Sequence, residues 1–170
     1  MKSYTGIGSR NITESEIKII TKISNFLSNY FICYSGNADG SDITFQKSSN
    51  GNHISFLPWD EFNFDHFKPV NYYVVGHLED GINSIHKFHP NPNALSSGAK
   101  KLMARNYYQI RGYLDYPTVS FVVCCADEDI NGNILGGTGQ ACRIAKSLNI
   151  PIFNIRNENW KNNFNIYLKE

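Results

Sequence analysis

No apolar run in the sequence approaches 18 residues, so nothing in it reads as a membrane-spanning helix. Neither charge is in excess: 16 Lys and Arg stand against 15 Asp and Glu, a net of +1. Proteins that hold nucleic acid chiefly by its phosphates usually carry a clear basic excess, so nucleic acid is not an expected partner. The first residues run straight into Gly-rich sequence, without a basic-then-apolar signal segment. The four cysteines are Cys33, Cys124, Cys125 and Cys142. None forms a C-x-x-C pair, and neighbours Cys124 and Cys125 are poor partners for each other. They read as reduced, mostly buried thiols of a cytoplasmic protein. There is no H-E-x-x-H, no G-x-S-x-G and no Walker Lys-Ser/Thr, which argues against zincin, hydrolase-elbow and P-loop chemistry. Gly6-x-Gly8 does not extend to G-x-G-x-x-G, so ordinary dinucleotide binding is unsupported and no cofactor is expected. His86-x-x-His89 lacks a Cys or acidic partner at a metal spacing, so no metal is expected.

With 41% apolar and 18% charged residues, the 170-residue chain can build a core and is not a disordered tail. Its length suits one domain, residues 1–170. Residues 2–5 read as a strand leading into a Gly loop, Gly6-Ile7-Gly8-Ser9-Arg10. Thr13 and Glu16 form a capping box, and Ile19, Ile20, Ile23, Phe26, Leu27 and Tyr30 share one face of the helix that follows. Phe31–Tyr34 is a second strand, ending at Ser35-Gly36. A helix starts near Asp39 and runs toward Lys47, and His53–Leu57 is a third strand. Alternation breaks over 59–94, an aromatic-rich stretch expected to be an insertion or lid containing short helices. A helix over 95–114 follows. Thr118–Cys125 is continuous and apolar, like a buried parallel strand. Gly136-Gly137-Thr138-Gly139 opens a helix through Ser147, Pro151–Ile155 is the next strand, and 157–170 is a weakly helical tail. This alternation predicts an α/β, Rossmann-like fold: a mostly parallel sheet with helices on both faces.

In such sheets ligands bind beyond the carboxyl ends of the strands, and three special loops fall there: 6–10, 35–42 and 127–140. Gly136, Gly137, Thr138, Gly139 and Gln140 offer backbone N–H groups at a helix start, a cradle for phosphate. Gly8 and Ser9 lead to Arg10, whose guanidinium can hold a phosphate through two parallel hydrogen bonds. In Ser35-Gly36-Asn37-Ala38-Asp39-Gly40-Ser41-Asp42 the carboxylates of Asp39 and Asp42 lie three residues apart on one helical face. They can accept from ribose hydroxyls or simply cap the helix. Arg105, Asn106 and Gln109 form a polar set on an otherwise amphipathic helix.

Gly6–Arg10, Ser35–Asp42 and Gly136–Gly139 together resemble motifs of the SMF/DprA–LOG (SLOG) superfamily. The first two resemble the GSR and SGxAxGxD motifs of DprA, and the third the PGGxGT loop of LOG-type proteins. The whole chain, over about residues 4–155, is similar to DprA-like Rossmann proteins encoded by bacteriophages. It shares with them Leu57-Pro58-Trp59, His89-Pro90, Ala104-Arg105-Asn106 with Gln109, and Gly136 to Asn154. The resemblance implies a Rossmann-like fold, a nucleotide-derived ligand and a homo-oligomer. LOG-type enzymes cleave an N-glycosidic bond with an Arg and a Glu. Arg143 stands where that Glu belongs, so no catalytic residue is assigned. The resemblance implies a sponge: a phage protein that sequesters a cyclic ADP-ribose-type or cyclic-oligonucleotide immune signal. The alternatives are a LOG-type N-glycosidic hydrolase and a DprA-like single-stranded DNA-binding protein.

Overall fold

The computed structural model describes residues 1–170. Its strands are β1 (Lys2–Gly8), β2 (Phe31–Ser35), β3 (His53–Leu57), β4 (Tyr72–Val74), β5 (Phe121–Cys125) and β6 (Ile152–Asn154). Its helices are α1 (Glu14–Leu27), α2 (Ser41–Lys47), α3 (Glu79–Phe88), α4 (Ser97–Arg111), α5 (Gly136–Ser147) and α6 (Trp160–Lys169). A 3-10 turn covers Pro92–Ala94. The six strands form one sheet in the order β4-β3-β2-β1-β5-β6. Every neighbouring pair is parallel, which makes this the expected α/β Rossmann-like architecture.

β5 shows why the sheet is covered on both faces. Side chains alternate along a strand. Phe121, Val123 and Cys125 enter one core with Ile20, Ile23 and Leu27 of α1, Phe45 of α2 and Phe164 of α6. Val122 and Cys124 enter the other with Tyr108 and Ile110 of α4 and Ala141, Ile144 and Ala145 of α5. All five β5 residues are inaccessible to solvent.

α1 begins as its sequence dictates. Thr13 Oγ1 accepts from the Glu16 amide at 3.1 Å, and Glu16 Oε1 accepts from the Thr13 amide at 2.9 Å. Its buried face differs from the expected one. Phe26 and Tyr30 are exposed and pack on each other, while Ser24 is fully buried. Ser24 earns that position by hydrogen bonding: its hydroxyl donates to the Phe45 carbonyl at 2.6 Å and accepts from Tyr4 Oη at 3.2 Å.

Two boundaries move toward the sheet. Gly6, Ile7 and Gly8 belong to β1, where they pair with Val123, Cys124 and Cys125, rather than to a loop. Within 59–94, residues 72–74 are a strand pairing with β3, and α3 follows. The irregular part is 58–71, which carries the chain from β3 to β4.

Candidate functional site

Strands on one side of β1 run β2, β3, β4 outward, and on the other side β5, β6. The order reverses between β1 and β5, and loops leaving the two strands in opposite directions open a crevice at their carboxyl ends. A cleft of about 520 Å³ lies there. Gly8, Ser9 and Arg10 line it from β1, Ala38 and Asp42 from the loop and helix after β2, and Gly136, Gly137 and Thr138 from α5. Arg105, Asn106 and Gln109 reach it from α4. Eleven sequence-predicted residues therefore converge from four segments onto one cleft.

The others do not line it. Ser35 is buried behind it, its hydroxyl donating to the Gly6 carbonyl at 2.6 Å. Gly36 supplies a carbonyl to Arg105 Nη1 at 2.7 Å, and a Cβ there would collide with the Gln109 amide and the Arg105 guanidinium. Asp39 and Asp42 share no helical face, because α2 starts only at Ser41. Gly40, at φ +77°, turns the chain tightly against the Arg10 carbonyl just before it. Asp39 points outward, accepting from Asn63 Nδ2 at 2.8 Å and bonding His66 Nδ1 at 2.6 Å. Gln140 is buried on the other face of α5, held by Arg143, and Gly139 lines a second hollow. Periodicity could not separate these, since the first turn of a helix can present successive residues to different neighbours.

Arg105 is the side chain the fold treats most unusually. It is 7% exposed, its Nε has no hydrogen-bond partner, and the Phe62 ring lies 5.3 Å from its Cζ. Phe62 is held there by Asn37, whose amide donates to the carbonyls of Phe62 and Phe67 at 2.9 and 3.0 Å. Burial pulls the Arg105 guanidinium down to about 10, opposed by the Asp42 charge and assisted by Arg10. Burial likewise pushes Asp42 up to about 6, against Arg105 and the amides of Ala38, Gly8 and Gly36. No direct ion pair joins Asp42 and Arg105.

α5 presents its amino end to the cleft. Leu135 is its N-cap, and no side chain caps it. The Leu135 amide bonds the Asp127 carbonyl at 2.9 Å, and Asn106 Nδ2 donates to the Gly137 carbonyl at 3.0 Å. These contacts fix the direction of the helix. Its first N–H groups and positive dipole end then face a space where Arg10 and Arg105 already favour an anion.

Sequence reasoning missed Arg156, Asp127, Leu135 and Met103, all of which line the cleft. Arg156 donates to both Glu16 oxygens at 2.7 and 3.1 Å and to Asp127 Oδ1 at 3.0 Å. That pairing holds Glu16 down at about 2. Only the charge type of Arg156 was visible; its partner lies 140 residues away. Burial pushes the Cys33 and Cys125 thiols up to about 12, so neither offers a nucleophile. Arg143 lies outside the cleft, donating from Nε to the Phe88 carbonyl at 2.6 Å. No helix is long and apolar enough to cross a membrane.

No protein-family model matches the sequence, and no curated protein matches it. Solved structures do. DNA processing protein A from Helicobacter pylori, described for its unique single-stranded DNA binding mode, superposes with a TM-score of 0.58 at 17% identity, over 89% of this chain and 64% of that one. DNA processing protein A (DprA) from Streptococcus pneumoniae superposes at 0.56 and 14% identity, over 93% and 51%. This chain thus spans half to two thirds of the solved chains it matches. The likeness establishes a DprA-like Rossmann fold. It also overturns two expectations, that the chain is a small-molecule sponge and that nucleic acid is not its partner, because the fold's solved neighbours are DNA processing proteins. Net charge averages the whole surface, whereas this cleft places Arg10 and Arg105 together without an ion-pair partner.

Proposed function

We propose that this chain binds single-stranded nucleic acid, as a DprA-like protein, in the cleft between the carboxyl ends of β1 and β5. The observation that carries the reading is Arg105. A buried guanidinium with an unpartnered Nε that no carboxylate contacts, beside Arg10 and an uncapped helix start, is organised for a further anion. Phosphate oxygens provide that anion. In this reading Arg10 and Arg105 hold a phosphate by charge-assisted hydrogen bonds, and the amides of Gly136, Gly137 and Thr138 hold it from the opposite wall. Gly8, Ser9, Ala38, Asp42, Asn106 and Gln109 complete the lining. Trp59, exposed and edge-on to Phe62 at 5.2 Å, offers a ring on which a base stacks. The Helicobacter pylori neighbour, described for its single-stranded DNA binding mode, supports the substrate class, and the order of the sequence motifs supports kinship with the DprA side of the superfamily.

Fluorescence anisotropy with labelled single-stranded DNA tests the reading, with a duplex of the same length as competitor. Single strands bind and the duplex competes poorly. Two or three phosphates in the cleft give log affinity a slope of roughly −1.4 to −2 against log salt, at about −0.7 per phosphate. Absence of binding at low salt sinks the proposal.

A further inference from the structure

We infer that the second hollow, beside Trp160, is a nucleobase subsite continuing the path of a strand bound in the first cleft. The inference rests on the single-stranded nucleic-acid reading above. This hollow measures about 570 Å³ and is lined by residues of β6, α5, the start of α6 and the 128–135 loop. Only the loop and the start of α5 part it from the first cleft, and Leu135, 49% exposed, lines both. A strand leaving the α5 amino end therefore crosses one apolar side chain to reach it.

The hollow has the parts that a base requires. A nucleobase is a flat ring with a polar edge, so it is recognised by a face to stack on and by fixed donors and acceptors. Trp160, half-buried and packed 6.3 Å from Phe164, supplies the face. Glu128 supplies the acceptor. Its carboxylate takes Asn154 Nδ2 at 2.9 Å and Asn157 Nδ2 at 3.2 Å, which fixes its orientation while leaving lone pairs free. Asn154 is itself immobilised: 4% exposed, it bonds both the amide and the carbonyl of Ala126, at 3.1 and 2.8 Å. Arg143 supplies a donor. Its Nε and Nη2 are engaged by the Phe88 carbonyl and Gln140 Oε1, and Nη1 has no protein partner. The remaining carboxylate, Asp129, is taken up by the amides of Asn131 and Asn133 at 2.9 Å. An aromatic face, an oriented carboxylate and a free guanidinium N–H suit a base bearing an exocyclic amino group beside a carbonyl. Cytosine and guanine have both, thymine has no amino group, and cytosine, whose N4 amino group donates to the carboxylate, serves as the probe.

The two tryptophans make the two sites separable. In Trp59→Phe, Trp160 is the sole reporter, and position 59 keeps an aromatic ring. Oligodeoxycytidylate and oligothymidylate of about 12 nucleotides, within the usual site-size range, are titrated while strand anisotropy and tryptophan emission are both followed. The expected result is quenching of Trp160 as the strand binds, tighter binding of the cytidylate, and loss of that preference in Glu128→Gln. Trp160→Ala weakens cytidylate binding by about ten-fold, the scale of one base stack. Binding by anisotropy with unquenched Trp160 and no dC preference overturns the subsite and leaves the cleft reading intact. No anisotropy change with either strand overturns the cleft reading and the subsite with it.

Discussion

A buried guanidinium opposite a buried carboxylate is costly unless each is compensated, and Arg105 and Asp42 compensate each other without touching. Replacing Arg105 by Ala removes the proposed phosphate ligand and strands Asp42. Strand affinity falls by about 1.5–3 kcal/mol, roughly ten- to a hundred-fold, and the melting temperature falls with it. Arg10 is exposed, so Arg10→Ala loses similar affinity while melting as wild type. Anisotropy titrations and thermal melts of the two variants separate these outcomes. Unchanged affinity in both leaves neither as a phosphate ligand. Asp42 adds a pH dependence. Folded, it keeps its proton up to about pH 6, whereas a free carboxyl gives it up near pH 4. Between those values the folded state binds more protons, so this residue's contribution to stability falls as pH rises through the window. The ionised carboxylate also repels phosphate, so affinity falls as pH rises through about 6. Arg105, at about 10, stays charged throughout. Asp42→Asn should flatten both trends, and an Asn variant with the wild-type pH profile would assign the titration elsewhere, the exposed His66–Asp39 pair being the next candidate.

The element that decides the cleft's chemistry is the first turn of α5. Gly137 is exposed, and a Cβ there meets only Met103 Cε, at an ordinary 3.4 Å. Gly137→Asp is therefore tolerated by the fold. A carboxylate in the first helical turn interacts favourably with the dipole, worth about 0.3–1 kcal/mol. The same carboxylate occupies the place proposed for phosphate. The expected result is a variant at least as stable as wild type by urea denaturation that no longer binds single-stranded DNA. A stable Gly137→Asp protein with wild-type affinity would remove α5 from the site. The element was legible in advance because Gly-Gly-Thr-Gly before a helical pattern signals an open helix start. The division of its residues was not legible. Gly136, Gly137 and Thr138 face the cleft while Gly139 and Gln140 turn away, and that split depends on how α5 is rolled by the Asn106–Gly137 contact and by Ala141 and Ile144 entering the core.

At the scale of the molecule, Arg156 ties the chain's beginning to its end. From just beyond β6 it clamps Glu16 of α1, the Asn11 carbonyl and Asp127 beyond β5. Arg156→Ala breaks these contacts and should cost about 1–3 kcal/mol of stability, read by urea denaturation, because charge-assisted hydrogen bonds are lost together. The clamp also sets the acid limit. Glu16 is held at about 2, below its ordinary 4.5. Its contribution is complete above about pH 4.5 and disappears as pH falls through about 2. Acid-induced unfolding should thus move to higher pH in Arg156→Ala. An unshifted acid transition would show that Glu16 gains nothing from the clamp.

The sequence by itself determined the alternation of strands and helices, the capping box of α1, the buried central strand and the three loops that meet at the cleft. Each is a local pattern whose physics operates over a few residues: side-chain period, a cap and its partner, glycine before a helix. Tertiary structure alone decided the rest. β4 was hidden because three half-exposed residues carry no clear period, and only pairing with β3 makes them a strand. Asp39 and Asp42 read from the sequence as neighbours on one helical face, but the turn at Gly40 sends one outward and buries the other beside Arg105. The charge balance of +1 concealed the cleft because it has no spatial coordinates. Arg10, Arg105 and Arg156 are far apart in sequence, and only the reversal of strand order between β1 and β5 brings them to one place.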